Sequence, residues 1–153
     1  MKTSLLLLLS FLAVPLHAEI RAAVRGGLFQ GMHANGVGTV ELEARYHGWS
    51  VVPAYEVIVA GHDTNAAHID LRRYFRVANH TLWIGAGPTS VRASAEGQSE
   101  STWNADAGFE FRTTSAWKPF IAARYYSFRI PIFRDVLEAN GAVISIGVSR
   151  RLF

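Results

Sequence analysis

An alternation of apolar and polar residues with a period of two runs through nearly all of this chain after residue 18. That period belongs to strands, because successive side chains point to opposite faces, whereas a helix repeats every ~3.6 residues. In Val37 to His47, the residues Val40, Leu42, Ala44 and Tyr46 alternate with Thr39, Glu41, Glu43, Arg45 and His47. His68 to Val77, Thr102 to Arg112 and Ala142 to Ser149 repeat the pattern, and Glu19 to Gln30, Val51 to Gly61, Thr81 to Ala93 and Lys118 to Arg129 follow it less strictly. The pattern predicts eight strands, joined near 31–36, 47–50, 62–67, 78–80, 94–101, 113–117 and 130–140, mostly where turn-forming residues cluster. Segment 130–140 is expected to be the longest connection, with one helical turn over Asp135 to Ala139.

Residues 1–18 read differently. Met1-Lys2, the apolar run Leu5 to Val14 and the segment Pro15-Leu16-His17-Ala18 have the layout of a secretory signal peptide, with cleavage expected after Ala18. The run is too short to cross a bilayer as a helix. Residues 19–153 then form one domain. The chain has no Cys, which excludes disulfides, thiolate metal sites and thiol nucleophiles. A formal charge of +3 without basic clusters argues against a nucleic-acid partner. No Gly-rich phosphate loop opens a helix, so no cofactor is expected.

Alternation alone fits a soluble barrel, apolar inside, or a membrane barrel, apolar outside. Aromatics near segment ends, Tyr46, Trp49, Trp83, Trp103, Phe109, Phe111 and Trp117, suit interfacial girdles and favour the membrane. The polar face sets Glu41, Glu43, Glu56, Asp70, Asp106 and Glu110 against Arg21, Arg25, Arg45, Arg72, Arg76, Arg112 and Arg124. From these, Glu41, Glu43, Arg45, Asp70, Arg72, Asp106, Glu110 and Arg124 are expected to form an interior polar network, with Glu41 and Arg45 a candidate pair. Strict alternation points Arg73 at lipid, a conflict that a bulge near Arg72-Arg73 would remove.

The chain ends in the alternating segment Ile146 to Phe153, and Ala123-Arg124-Tyr125-Tyr126-Ser127-Phe128 and Ile84-Gly85-Ala86-Gly87 have a matching character. In these stretches, and in layout over residues 19–153, the chain resembles the small eight-stranded outer-membrane barrels: the OmpA transmembrane domain, OmpX and opacity-type surface proteins. The resemblance implies an all-β, antiparallel up-and-down transmembrane barrel in a Gram-negative outer membrane, with both termini periplasmic. It also implies that Leu152 and Phe153 carry an assembly signal for the barrel-assembly machinery, and that the barrel is a monomer in contact with outer-membrane lipid and lipopolysaccharide. Arg150 and Arg151 depart from the pattern, which places an aromatic two residues before the terminal one; Arg150 is expected to snorkel to the interface.

An eight-stranded barrel is filled by its own side chains, so a general pore is not expected. The leading expectation is a structural or surface-interaction role, with segments 94–101 and 130–140 as candidate contacts for a partner. A lipid A-modifying acyl hydrolase or acyltransferase is the first alternative. The hydrolase chemistry needs a Ser, an activating His and a carboxylate, and that family places His and Ser two residues apart on the penultimate strand. Here the similar place reads Tyr125-Tyr126-Ser127. His33 and His62-Asp63-Thr64 are the remaining catalytic candidates, and His62, Asp63 and His68 a weaker metal set. None of these is assigned a catalytic or metal role. A soluble periplasmic ligand-binding barrel, with the faces reversed, is the second alternative.

Overall fold

Alternating strands leave rows of backbone donors and acceptors along both edges, and closing the sheet satisfies them without a free edge. The computed structural model describes residues 18–30, 34–59, 64–93, 99–132 and 135–153, and the chain forms a closed antiparallel barrel. Its strands are β1 (Glu19–Gln30), β2 (Ala34–Tyr46), β3 (Trp49–Val59), β4 (Thr64–Val77), β5 (His80–Ala93), β6 (Ser99–Glu110), β7 (Trp117–Ile132) and β8 (Asp135–Arg151). Each pairs with its sequence neighbour, and β8 closes on β1. Following paired residues once round from Ile20, through Ala44, Val51, Leu71, Ala86, Ala105, Tyr125 and Ala142, returns to β1 at Gln30, ten residues further on. With a rise of ~3.3 Å and a strand spacing of ~4.8 Å, that stagger tilts the strands by roughly 40° and leaves a lumen only as wide as side chains can fill.

The end that carries the chain termini also holds two tight turns. His47 and Gly48 both have positive φ (49° and 77°) between the paired Tyr46 and Trp49, as a two-residue hairpin turn requires. Ala78 (φ 52°) opens the second, between the paired Val77 and His80. At the opposite end the strands are separated by residues 31–33, 60–63, 94–98 and 133–134, fewer than the 31–36, 62–67, 94–101 and 130–140 expected. The described residues of segment 130–140 are strand, with no helical turn over Asp135 to Ala139: Ile130 pairs with Leu137, Pro131 with Val136 and Ile132 with Asp135. Pro131 lacks an N–H but still offers its carbonyl, and this stretch holds no Gly or Asn before Asn140 to stop the ladder.

The faces separate cleanly. Outward positions carry Val24, Leu28, Val40, Leu42, Val51, Val57, Ile69, Leu71, Ile84, Ile121, Ile144 and Ile146, all solvent-exposed large hydrophobics. This is the reverse of a soluble barrel. At the terminal end the band is bounded by Tyr46, Trp49, Phe75, Phe111 and Trp117, and at the other by Tyr55, Trp103 and Tyr125. Trp117 and Tyr125 stand eight residues apart on β7, roughly 20 Å along the axis for a ~3.3 Å rise and ~40° tilt. Beyond the far girdle the same outward row turns polar, with Gln30, Asn65, Ser90, Ser101, Ser127 and Asn140. Such a band between aromatic girdles is the form a lipid-facing barrel wall takes.

The expected bulge at Arg72-Arg73 is absent: Arg72 and Arg73 keep constant register with Ser50 and Trp49 on one side and with Gly85 and Ile84 on the other. Position resolves the conflict instead. Arg73 lies next to the terminal-end girdle, where its guanidinium sits 5.1 Å from the Trp49 ring centroid and donates to the His47 carbonyl at 3.1 Å. Arg150 similarly lies 5.4 Å from the Trp117 ring centroid. In both cases the aliphatic stem can cover apolar wall while the charge reaches the interface.

Candidate functional site

Inward parity brings charges from all parts of the chain into the middle of the lumen. Arg72 donates two hydrogen bonds to Glu41, both 2.9 Å, and its Nε lies 2.7 Å from Asp106 Oδ2. Arg25 bridges Glu41 (3.1 Å) and Asp106 (3.2 Å). Arg124 reaches Asp70 at 2.6 Å and Glu56 at 3.4 Å. Three guanidinium groups thus face four carboxylates, and neutral donors complete the set. Tyr126 and Thr39 hydroxyls donate to Glu56 (2.7 and 2.9 Å), Asn104 donates to Asp70 (2.7 Å), and the Trp83 indole N–H donates to Asp106 (2.9 Å). A buried carboxylate deprived of such partners would carry a large desolvation cost, so these contacts act together.

Two smaller clusters lie nearer the terminal end. Arg21 binds Glu110 at 2.9 Å and donates to Ser149 Oγ at 2.8 Å. Arg45 donates to both oxygens of Glu43 (2.9 and 3.2 Å) and stacks on Tyr74, 3.7 Å from its ring centroid. The expected Glu41–Arg45 pair is therefore corrected, because four residues along one strand separate the two side chains too far for contact, and each is taken by a nearer partner.

Apolar layers close the network on both sides. Trp83, Phe120 and Ala122 form a cluster toward the terminal end, with the Trp83 and Phe120 rings edge to face at 5.5 Å. Gly108 and Gly147 make room for it, since a Cβ on the first would run into the Trp83 ring and one on the second into Phe120. Toward the far end Phe29, Val37, Ile58, Ala66, Val91, Tyr126 and Val143 make a second cluster, with Phe29 stacked on Tyr126 at 5.6 Å.

All eight residues of the expected interior set point inward, but they belong to three clusters. Arg25, Thr39, Glu56, Tyr126, Asn104 and Trp83 join the central one from outside that set. Trp83 is a further correction: it is only 3% exposed and belongs to the lumen, not to a girdle. On β5 both faces hold apolar residues, Leu82 and Ile84 outward and Trp83 and Val91 inward, so composition there does not reveal the phase. Of the catalytic candidates, Ser127 faces outward while Tyr126 is buried inside, and Thr64 is buried. His68 is buried with Nδ1 2.9 Å from Thr89 Oγ1. His33, His62 and Asp63 lie outside the described residues.

No protein-family model matches this sequence, and no curated protein matches it. The three-dimensional arrangement does have counterparts among solved structures. The N-terminal β-barrel domain of Pseudomonas aeruginosa OprF superposes with a TM-score of 0.60 at 10% identity, covering 89% of this chain and 100% of that one. Neisserial surface protein A gives 0.58 at 11% identity, over 88% and 97%. The fold is that of the small eight-stranded outer-membrane barrels. A de novo designed transmembrane β-barrel gives a TM-score of 0.62 at 10% identity, over 88% and 95%. A designed barrel of this shape shows that the likeness reports architecture and not activity.

Proposed function

We propose that this chain is an outer-membrane barrel with a structural or surface-interaction role and without a general pore. The observation that carries this reading is the inversion of polarity: a largely buried interior of paired charges inside a wall of exposed aliphatic residues. Residues 1–18 serve as the export signal and are removed after Ala18. The end with the termini and tight turns faces the periplasm, and the polar rim from Gln30 to Asn140 meets the lipopolysaccharide headgroups outside. Surface contacts fall on the far-end segments, including 94–101 and 130–140. The barrel acts as a monomer.

Assembly by the barrel-assembly machinery uses the end of β8. There the Leu152 N–H donates to the Ile20 carbonyl at 2.8 Å, while the Phe153 side chain stands exposed at the wall. Expression followed by outer-membrane fractionation, with gel migration compared before and after boiling, tests the whole reading. A band in that fraction that runs faster unboiled is expected. A protein recovered in plain buffer with no shift on boiling would overturn it. Deleting Phe153 is expected to reduce the amount inserted, and unchanged insertion would remove the terminal residue from the assembly argument.

A further inference from the structure

We infer that the terminal-end mouth of the barrel is a binding site for a multivalent oxyanion of the phosphate type. A cavity of about 400 Å³ opens there, lined by Arg76, Asn79, His80, Glu110, Arg112 and Lys118 among others. Strand register explains why the cations converge. Arg76 pairs with Thr81 and Thr81 with Glu110, so Arg76 and Glu110 share the inward row. Glu110 in turn pairs with Phe120. Arg112, two residues past Glu110, and Lys118, two before Phe120, therefore face each other just beyond the last paired row.

Like charges set opposite one another across strands repel, and here no carboxylate relieves them. The single acidic residue of the lining, Glu110, is already held by Arg21 at 2.9 Å and by Ser149 at 3.1 Å. Lys118 is held by the neutral Thr113 carbonyl at 2.6 Å, and Arg112 is near the Asn79 side-chain oxygen at 3.5 Å. The Arg76 side chain has no hydrogen bond or ion pair among the described residues. Three cations thus share one concavity while their charge stays uncompensated. Guanidinium groups offer paired donors that match the oxygens of a phosphate, and an ammonium supplies a point charge beside them. Low-dielectric walls around such a mouth concentrate its field on an entering anion. The mouth stands at the level of the aromatic girdle, so the oxyanion comes either from solution or from the headgroup of an anionic lipid. The site requires the barrel but not any particular orientation in the membrane.

The test is titration of the folded barrel in zwitterionic micelles with inorganic phosphate at low salt, followed by amide chemical shifts. A saturable response confined to residues 76–81 and 110–118 is expected. Affinity should fall at least tenfold in the double variant Arg112→Gln/Lys118→Gln and stay unchanged in Arg92→Gln, a cation at the opposite rim. A boiling-dependent gel shift of each variant establishes that it is folded. Nanodiscs with and without phosphatidylglycerol form the second arm. Shifts at the same residues with the anionic lipid alone assign the site to a headgroup, and shifts with free phosphate assign it to a soluble oxyanion. No response in either arm, or equal responses from wild type and the double variant, would overturn the inference.

Discussion

Arg124 is fully buried and lies within 4 Å of four carboxylates, Asp70 at 2.6 Å, Glu56 at 3.4 Å, Glu41 at 3.6 Å and Asp106 at 3.8 Å. Replacing a buried ion network with apolar side chains of equal volume can be neutral, but removing one member leaves its partners charged and unpaired. Arg124→Gln is therefore expected to lower unfolding stability by about 3–5 kcal/mol, measured by urea titration of the barrel in micelles. A loss below about 1 kcal/mol would mean that water already reaches the lumen. Pairing is also separable by mutation. Glu41→Gln and Arg72→Gln share two hydrogen bonds, so their effects should be non-additive by 0.5 kcal/mol or more, of the order ~0.5–3 kcal/mol. Glu41→Gln and Arg45→Gln share none, and their losses should sum to within ~0.5 kcal/mol. Near-additive behaviour of the first pair would contradict the bidentate contact. Trp83→Phe keeps a six-membered aromatic ring but removes the pyrrole half and its N–H from Asp106, and a loss of at least about 1–3 kcal/mol is expected from the unpaired carboxylate oxygen together with the lost packing.

At the scale of the strand, depth in the wall decides what a charge costs. Leu71 and Arg73 are successive outward residues of β4, yet Leu71 pairs with Val51 inside the apolar band while Arg73 pairs with Trp49 at its edge. Arg73→Leu is expected to change stability by less than about 1 kcal/mol, since the guanidinium already reaches the interface. Leu71→Arg, about 7 Å deeper along the strand, is expected to cost about 2–4 kcal/mol. Equal costs measured by refolding into vesicles would show that the band is misplaced. The same distinction explains what could be read from the chain. Strict alternation in β2, β4 and β6 exposes both the strand and its phase, which is why Glu41, Asp70, Arg72 and Asp106 were legible as one face. Trp83 was not, because β5 carries apolar residues on both faces. Segment 130–140 was not, because Pro131 cannot donate to a ladder that pairing with β8 nonetheless continues. Partnerships across the lumen were invisible as well. Arg25 and Asp106 are 81 residues apart in sequence, and only the stagger of the closed barrel brings them to 3.2 Å.

For the whole molecule, the decisive relation is between barrel size and filling. Eight strands with a stagger of ten enclose a lumen that side chains can close completely, and this chain closes it three times over along the axis. Trp83 and Phe120 close it toward the termini, the Arg–carboxylate network in the middle, and the Phe29–Tyr126 cluster toward the far end. Ion passage would require opening all three, because an apolar constriction excludes water and a paired network offers no free path through it. The wild-type barrel is therefore expected to show no conductance steps in planar bilayers. Phe29→Ala with Val143→Ala widens the far-end layer only and should remain silent, whereas Trp83→Ala with Phe120→Ala should remain silent for the reciprocal reason. Discrete conductance from either double variant would locate the real barrier in the layer removed, and conductance from the wild type would show that the lumen is open and the pore-free reading wrong.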